Sequence, residues 1–287
     1  MRILLIGAGG QLGSDLVKTL SWADLIPLTH AEVEVSDLES LRAAFAQHRP
    51  ELVINTAAWH RVDDIERQPE RAFAVNTYGA RHLALACREF DCALMHLSTD
   101  YVFDGKKRTP YEETDAPNPI SAYGISKLAG EQFIRYLWPR HYIVRSSGLY
   151  GVAGSSGKGG NFVETMLRLA RAGQAIKVVD DQVTTPTYTA DLARALADLA
   201  KTGRYGLYHV SNQGHCSWYE FAAKIFQLSG IEADLSPITS EAFGAPARRP
   251  AYSVMAHKAL RAAGVEALRH WTEALADYLR ARTLREG

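Results

Sequence analysis

The sequence predicts an α/β fold: a doubly wound parallel sheet with a small, mostly helical C-terminal lobe. Three observations carry this. Short apolar runs alternate with helical patterns over residues 1–150, the rhythm of crossover units and so of a parallel sheet. The first run, Ile3-Leu4-Leu5-Ile6, passes directly into Gly7-Ala8-Gly9-Gly10-Gln11-Leu12-Gly13, a strand-to-helix turn. Tyr123 and Lys127 then fall one helical turn apart, downstream of an apolar run that closes in Ser98-Thr99.

Arg2–Ile6 is short, apolar and stopped by glycine, as a buried parallel strand should be. A helix follows over 11–20. Residues 24–28 suggest a second strand and 38–47 a helix. Leu52–Asn55 reads as a third strand, ending in Thr56-Ala57-Ala58. Residues 69–90 carry a long helix with an apolar face at Phe73, Leu83 and Ala84. Residues 93–97 and 142–145 are the fourth and fifth strands, and the helix bearing Tyr123 and Lys127 lies between them. Right-handed crossovers make this a Rossmann-type layer over 1–150, completed by about 187–211.

The texture changes after residue 150. Residues 151–160 hold five glycines and two serines, which predicts a mobile loop. A helix over 161–172, strands at Ile176–Val179 and 207–210, and a returning helix over 191–200 follow. From Trp218 the chain reads as mostly helical, with a break at 246–250. A substrate lobe built from 151–186 and 212–287 is expected. The loop over 108–122, with Pro110, Pro117 and Pro119, is long for a compact domain and leads into the tyrosine helix, which suggests a functional role.

Composition excludes several classes. The chain has 287 residues, 47% of them hydrophobic, enough for one large α/β domain with a lobe. Lys plus Arg equal Asp plus Glu at 32 each, so no bulk attraction to nucleic acid or an anionic membrane is expected. The N-terminal apolar run is too short to be a signal or a membrane span. Cys87, Cys92 and Cys216 are scattered and odd in number, which reads as reduced buried thiols in a cytoplasmic protein. The histidines show no metal-finger spacing, so no metal site is assigned.

Glycines at 7, 10 and 13 let the backbone approach a diphosphate, and the N–H groups at the helix start bind its oxygens. The second strand ends in Leu28-Thr29-His30, with neither the acid that would grip a ribose hydroxyl nor an arginine for a 2′-phosphate. Glu32 and Glu34 follow. NADH and NADPH therefore both stay open. Thr99 stands at the carboxyl end of the fourth strand, where ligands lie in open α/β sheets. Its hydroxyl can hydrogen-bond a carbonyl oxygen beside Tyr123. The ammonium of Lys127 is expected to lower the phenol's pKa, making it a competent proton donor or acceptor. Ser98 should face the other side of the sheet. Asn76 is an equal candidate for steadying the site or for an ordinary helix-face position. The Gly-x-Ser-x-Gly elbow is absent.

These residues resemble the extended short-chain dehydrogenases/reductases and, within them, the dTDP-4-dehydrorhamnose reductases. The resemblance runs nearly end to end. Its most specific stretches are Ser98-Thr99-Asp100-Tyr101-Val102-Phe103-Asp104-Gly105 and Asn161-Phe162-Val163. It also takes in Val75-Asn76-Thr77, Tyr123-Gly124-Ile125-Ser126-Lys127, Ser217-Trp218-Tyr219-Glu220-Phe221 and Arg248-Arg249-Pro250-Ala251. It implies reduction of the C4 ketone of dTDP-4-dehydro-β-L-rhamnose, with Tyr123 as acid, Thr99 polarising the ketone, and Lys127 on the nicotinamide ribose. Gly10, Gln11 and Leu12 would line the diphosphate, Glu34 and Val35 the adenine end, and Ala58, Trp59 and His60 the cofactor's border. Val62, Thr99 and Asp100 would meet the nucleotide sugar, and Arg248 or Arg249 its diphosphate. Homodimers, some with Mg²⁺, are implied by the resemblance alone. Three positions depart from the family pattern: Gly148 replaces a tryptophan, Val183 a glycine and Tyr252 an asparagine. All three fall on the substrate side, leaving two rivals: a reductase of another nucleotide 4-ketosugar, and a non-catalytic dinucleotide-binding regulatory subunit of the methionine adenosyltransferase type.

Overall fold

The computed structural model describes residues 1–154 and 160–286. The central sheet has six strands, all parallel: β1 (Arg2–Ile6), β2 (Asp24–Leu28), β3 (Leu52–Asn55), β4 (Ala93–Thr99), β5 (His141–Ser146) and Gly206–His209. Their spatial order is Gly206–His209, β5, β4, β3, β1, β2. Side chains of β1 alternate between two cores. Ile3 and Leu5 join the one beneath the helices Gln11–Thr19 and Thr189–Thr202, and Leu4 and Ile6 the one beneath Leu38–His48, Gly79–Glu89 and Ala122–Leu137. Both faces are covered, so an unbroken apolar run is what the strand requires.

The chain leaves β1 toward β2 and returns to β3 on its other side, so the strand order reverses there. The crevice beyond the carboxyl ends of β1 and β3 is the expected ligand site of such a sheet. Gly7 sits in it at φ +85°, and a Cβ there would lie 2.6 Å from the Thr56 hydroxyl. Glycine is demanded both by the turn and by the neighbouring strand end.

The long helix over 69–89 is helical throughout, but Phe73–Tyr78 forms a π-helical segment within it. Such segments concentrate near functional sites, and this one carries Asn76. The helix Ala122–Leu137 is started by Ser121, whose hydroxyl accepts the Gly124 N–H. Gly124 and Gly130 let it pack closely: a Cβ on either would lie 2.2 Å from the Tyr101 carbonyl oxygen and 2.4 Å from that of Asn76, respectively. Tyr123 is thereby pressed against the end of β4.

A separate, aromatic-rich core includes Tyr150, Tyr188, Phe221, Trp271 and Tyr278. Leu235–Ile238 pairs in parallel with Ile176–Val179, a strand the helical reading of this stretch did not anticipate. Pro237 masked it, since proline is tolerated in strands at a sheet edge. Residues around Leu260 to Leu268 pack into the core of the main sheet. Half of the glycine-rich stretch expected to be a mobile loop, residues 155–159, lies outside the described residues. All three cysteines are free and buried. None of the described helices is long and apolar enough to cross a membrane.

Candidate active site

One cavity of about 790 Å³ runs from the glycine turn to Trp218 and Phe221. Gly10, Gln11, Leu12 and Gly13 line one end, Thr99, Tyr123 and Lys127 its middle, and Trp218 and Arg249 belong to its far wall. The size suits a ligand of several hundred Å³. A Cβ on Gly13 would lie 2.2 Å from the Gly7 carbonyl oxygen, so only glycine lets helix and turn come together here. Gly13→Ala is expected to destabilise the fold by about 1–3 kcal/mol and to weaken NADPH binding, which thermal unfolding and a fluorescence titration would check.

The structure brings together Tyr123, Lys127 and Thr99. The Thr99 hydroxyl accepts the Tyr101 N–H at 3.2 Å and donates to Asp100 Oδ1 at 3.1 Å, on the wall of the cavity that Tyr123 also lines. The rings of Tyr101 and Tyr123 meet edge to face at 5.6 Å. Ser98 donates to Glu131 of the tyrosine helix and also lines the cavity, although strand alternation predicts that it faces the other side of the sheet. The electrostatics differ from the sequence expectation. Burial pushes the Tyr123 phenol up to about 12, the neighbouring Thr99 hydroxyl works against that, and the Asp100 charge adds to it. The Lys127 amine does not offset this: it donates to the Leu97 carbonyl at 2.6 Å and lies 3.4 Å from His96 Nε2. Helical spacing set the side-chain neighbourhood, while the strand's backbone took the amine. A phenol with a raised pKa is fully protonated at neutral pH, the form a proton donor needs.

Asp100 is buried at the same strand end, accepts from Ser253 at 2.6 Å and lines the cavity. Burial raises its pKa to about 6, against the pull of the Ser253 and Thr99 hydrogen bonds. Ala58, His60, Val62 and Gly148 also line the cavity. Gly148 is held at φ +55°, with Thr185 and Pro186 backbone atoms 3.1 Å from where a Cβ would stand. Glycine is thus suited to the turn itself. Of the two arginines, Arg249 lines the cavity and pairs with Asp63 at 2.9 Å, whereas Arg248 is exposed outside the lining. Trp59, Glu34 and Val35 also fall outside it. The Trp59 ring lies under the Arg71 guanidinium at 3.8 Å. Val35 is buried against the Gly79 position. The Glu34 carboxylate accepts from Ser36 N–H and Oγ and pairs with His30 at 3.2 Å. Asn76 proves to be a tether: it exchanges two 2.9 Å hydrogen bonds with the Trp59 backbone and donates to Ser126.

Sequence reasoning missed two features. The Asp63–Arg249 pair joins positions 186 apart in sequence, beyond the reach of any local pattern. Gln11 Oε1, Ser146 Oγ and Tyr150 Oη are buried without a hydrogen-bond partner among the described residues, on side chains that line the cavity. Buried polar atoms rarely go unpaired, so these three are candidates to hydrogen-bond a polar ligand in the cavity. The position of Ser146 at the carboxyl end of β5 was the available signal. They fit a dinucleotide lying across the glycine turn. Among the described residues no group of three His, Cys, Asp or Glu side chains is arranged to hold a metal ion.

Parallel sheet, glycine turn and Tyr–Lys helix on one cavity define an NAD(P)H-dependent oxidoreductase of the extended short-chain dehydrogenase/reductase class. The comparisons narrow this. The family model described as RmlD substrate binding domain matches residues 1–284, and the chain belongs to that family. It is 42% identical over 295 residues to a dTDP-4-dehydrorhamnose reductase of Streptomyces griseus, covering 100% of this chain and 95% of the relative. It is 41% identical to a dTDP-4-keto-6-deoxy-D-glucose reductase of Streptomyces niveus, covering 96% and 95%. A solved dTDP-4-dehydrorhamnose reductase from Bacillus anthracis in complex with NADP superposes with a TM-score of 0.93 at 39% identity, covering 98% of this chain and 99% of that one.

Proposed function

We propose that the protein reduces the C4 ketone of dTDP-4-dehydro-β-L-rhamnose to dTDP-L-rhamnose, using NADPH or NADH. The observation that carries this reading is that Thr99, Tyr123, Lys127 and the glycine turn line a single cavity. When bound, the reduced nicotinamide supplies a hydride to C4. Thr99 Oγ1 hydrogen-bonds the C4 oxygen and orients it. Tyr123 Oη gives its proton to that oxygen as negative charge develops there. Lys127 offers N–H donors to the nicotinamide ribose. Gly10, Gln11 and Leu12 present backbone and side chain to the cofactor diphosphate at the helix start. The roles of Ala58, Trp59 and His60 at the cofactor's border, and of Glu34 and Val35 near the adenine, follow from the family resemblance.

Val62 and Asp100 belong to the sugar-nucleotide side of this reading, and Arg249 to its diphosphate, since a guanidinium matches phosphate geometry. Arg249→Ala is expected to raise KM by roughly 10- to 100-fold, a charge-assisted hydrogen bond contributing ~1.5–3 kcal/mol. Arg248→Ala should leave KM unchanged, and steady-state kinetics on both variants would show it. The direct test of the whole reading is stoichiometric NAD(P)H oxidation by the purified protein across a panel of nucleotide 4-ketosugars. Turnover of the dTDP-rhamnose precursor supports the assignment. The name of the Streptomyces niveus relative and the glycine at 148 favour a second reading, another dTDP-4-ketosugar, which the same panel would select. Absence of any turnover, with copurification of a synthetase, would favour a regulatory subunit.

A further inference from the structure

We infer that Asn55 locks His96 in the tautomer protonated at Nε2, and that this N–H, aimed at Lys127, holds the lysine amine toward its neutral, acceptor form. His96 and Asn55 are then positioning residues for Lys127.

The geometry begins with backbone register. Asn55 in β3 stands opposite His96 in β4, and the helix Ala122–Leu137 lowers Lys127 onto the same face. All three are buried. Asn55 Oδ1 accepts the Ala57 N–H at 3.2 Å. A backbone N–H can only donate, so this bond decides which end of the amide faces which way. Asn55 Nδ2 is left to donate to His96 Nδ1 at 3.1 Å, and Nδ1 must accept. The ring is neutral, because burial alone, the largest influence on it, pulls its pKa well below the ordinary histidine value. A neutral imidazole has one proton, and it must sit on Nε2. That atom lies 3.4 Å from Lys127 Nζ. An ammonium there would oppose donor to donor, whereas an amine can accept the Nε2–H while still donating to the Leu97 carbonyl.

The other groups around Lys127 come from each element packed on it. Glu131, on its own helix, favours the charged amine, but it is engaged by Arg145 of β5 at 2.6 Å and by Ser98 of β4. Tyr123 lies one turn back on the same helix. Asp100, at the end of β4, is held by Ser253. The helix over 69–89 contributes Asn76 and Thr77, both uncharged. Burial, partly offset by Glu131, brings the lysine down to about 8, in the direction the tautomer argument requires.

The catalytic meaning of this rests on the reductase reading, but the test needs no turnover. In ¹⁵N-histidine protein at neutral pH, the His96 signals, assigned in the wild type by their through-space contacts to Asn55 and Lys127, should show a protonated Nε2 and an unprotonated Nδ1. A protonated Nδ1 overturns the inference, and this wild-type measurement stands even if no variant folds. Asn55→Asp keeps an acceptor for the Ala57 N–H but offers the ring an acceptor too, so the proton should move to Nδ1 and the Nε2 lone pair should face the amine. The Lys127 titration, followed by its ¹³Cε shift, should then rise by roughly one pH unit or more. The double variant Asn55→Asp/His96→Phe separates the tautomer from the added charge. A markedly smaller rise there supports the ring as relay, and a rise of the same size overturns it.

Discussion

Tyr123→Phe is expected to lower kcat by about 10²–10⁴-fold, the range a single general acid contributes, while cofactor affinity stays near that of the wild type. The substitution removes one oxygen. The ring keeps its edge-to-face contact with Tyr101, so the cavity keeps its shape. The lost oxygen is the one that, in the proposed reaction, gives the proton to the nascent alkoxide. Because the loss falls on the transition state, kcat and kcat/KM should drop together with little change in KM. The pH dependence separates this from a general structural defect. The phenol is raised to about 12 by burial, so its acid form persists through neutral and mildly alkaline pH, and it should not itself produce a limb in the wild-type reduction profile below that region. Steady-state kinetics with NADPH titration on both proteins would check the result. A variant turning over at the wild-type rate would remove Tyr123 from the chemistry.

Much of this site was legible because its parts are local. A strand stopped by glycine, a four-residue Tyr–Lys spacing and a Thr at a strand end are each written in a few consecutive residues, and β1 to β5 fall close to where the apolar runs put them. What was hidden depends on distant partners. The π segment around Asn76 appears only when that residue is tied to Trp59 and packed against Gly130. The Asp63–Arg249 pair and the Ser146 and Tyr150 hydroxyls, unpartnered among the described residues, depend on segments far apart in sequence. The phenol's pKa moved opposite to expectation for the same reason. Spacing announces that an amine is near, but the Leu97 carbonyl and the depth of burial decide what that amine does.

Glu131→Ala should be the most damaging change away from the cavity, because it strands a buried cation. Arg145 is 1% exposed and Glu131 0%, and their bidentate pair is held by bonds of 2.9 and 2.6 Å. Ser98 donates to the same carboxylate, and the guanidinium also lies over the Phe103 ring at 5.2 Å. Removing one member of a buried pair costs about 3–5 kcal/mol, since the other charge is left without compensation. A domain stable by about 5–15 kcal/mol loses a large share of that margin. Replacing both members by apolar residues of similar volume, Glu131→Leu with Arg145→Met, should recover most of the loss, because neither charge then needs solvation. Chemical denaturation of the single and double variants measures both. A single variant within about 1 kcal/mol of the wild type would mean that water or another group reaches Arg145. The pair also touches function through Lys127. Glu131 is the charge that keeps the lysine from falling further below its ordinary pKa. The double variant, though folded, should therefore titrate Lys127 at lower pH than the wild type, so its lysine would be neutral over more of the working range.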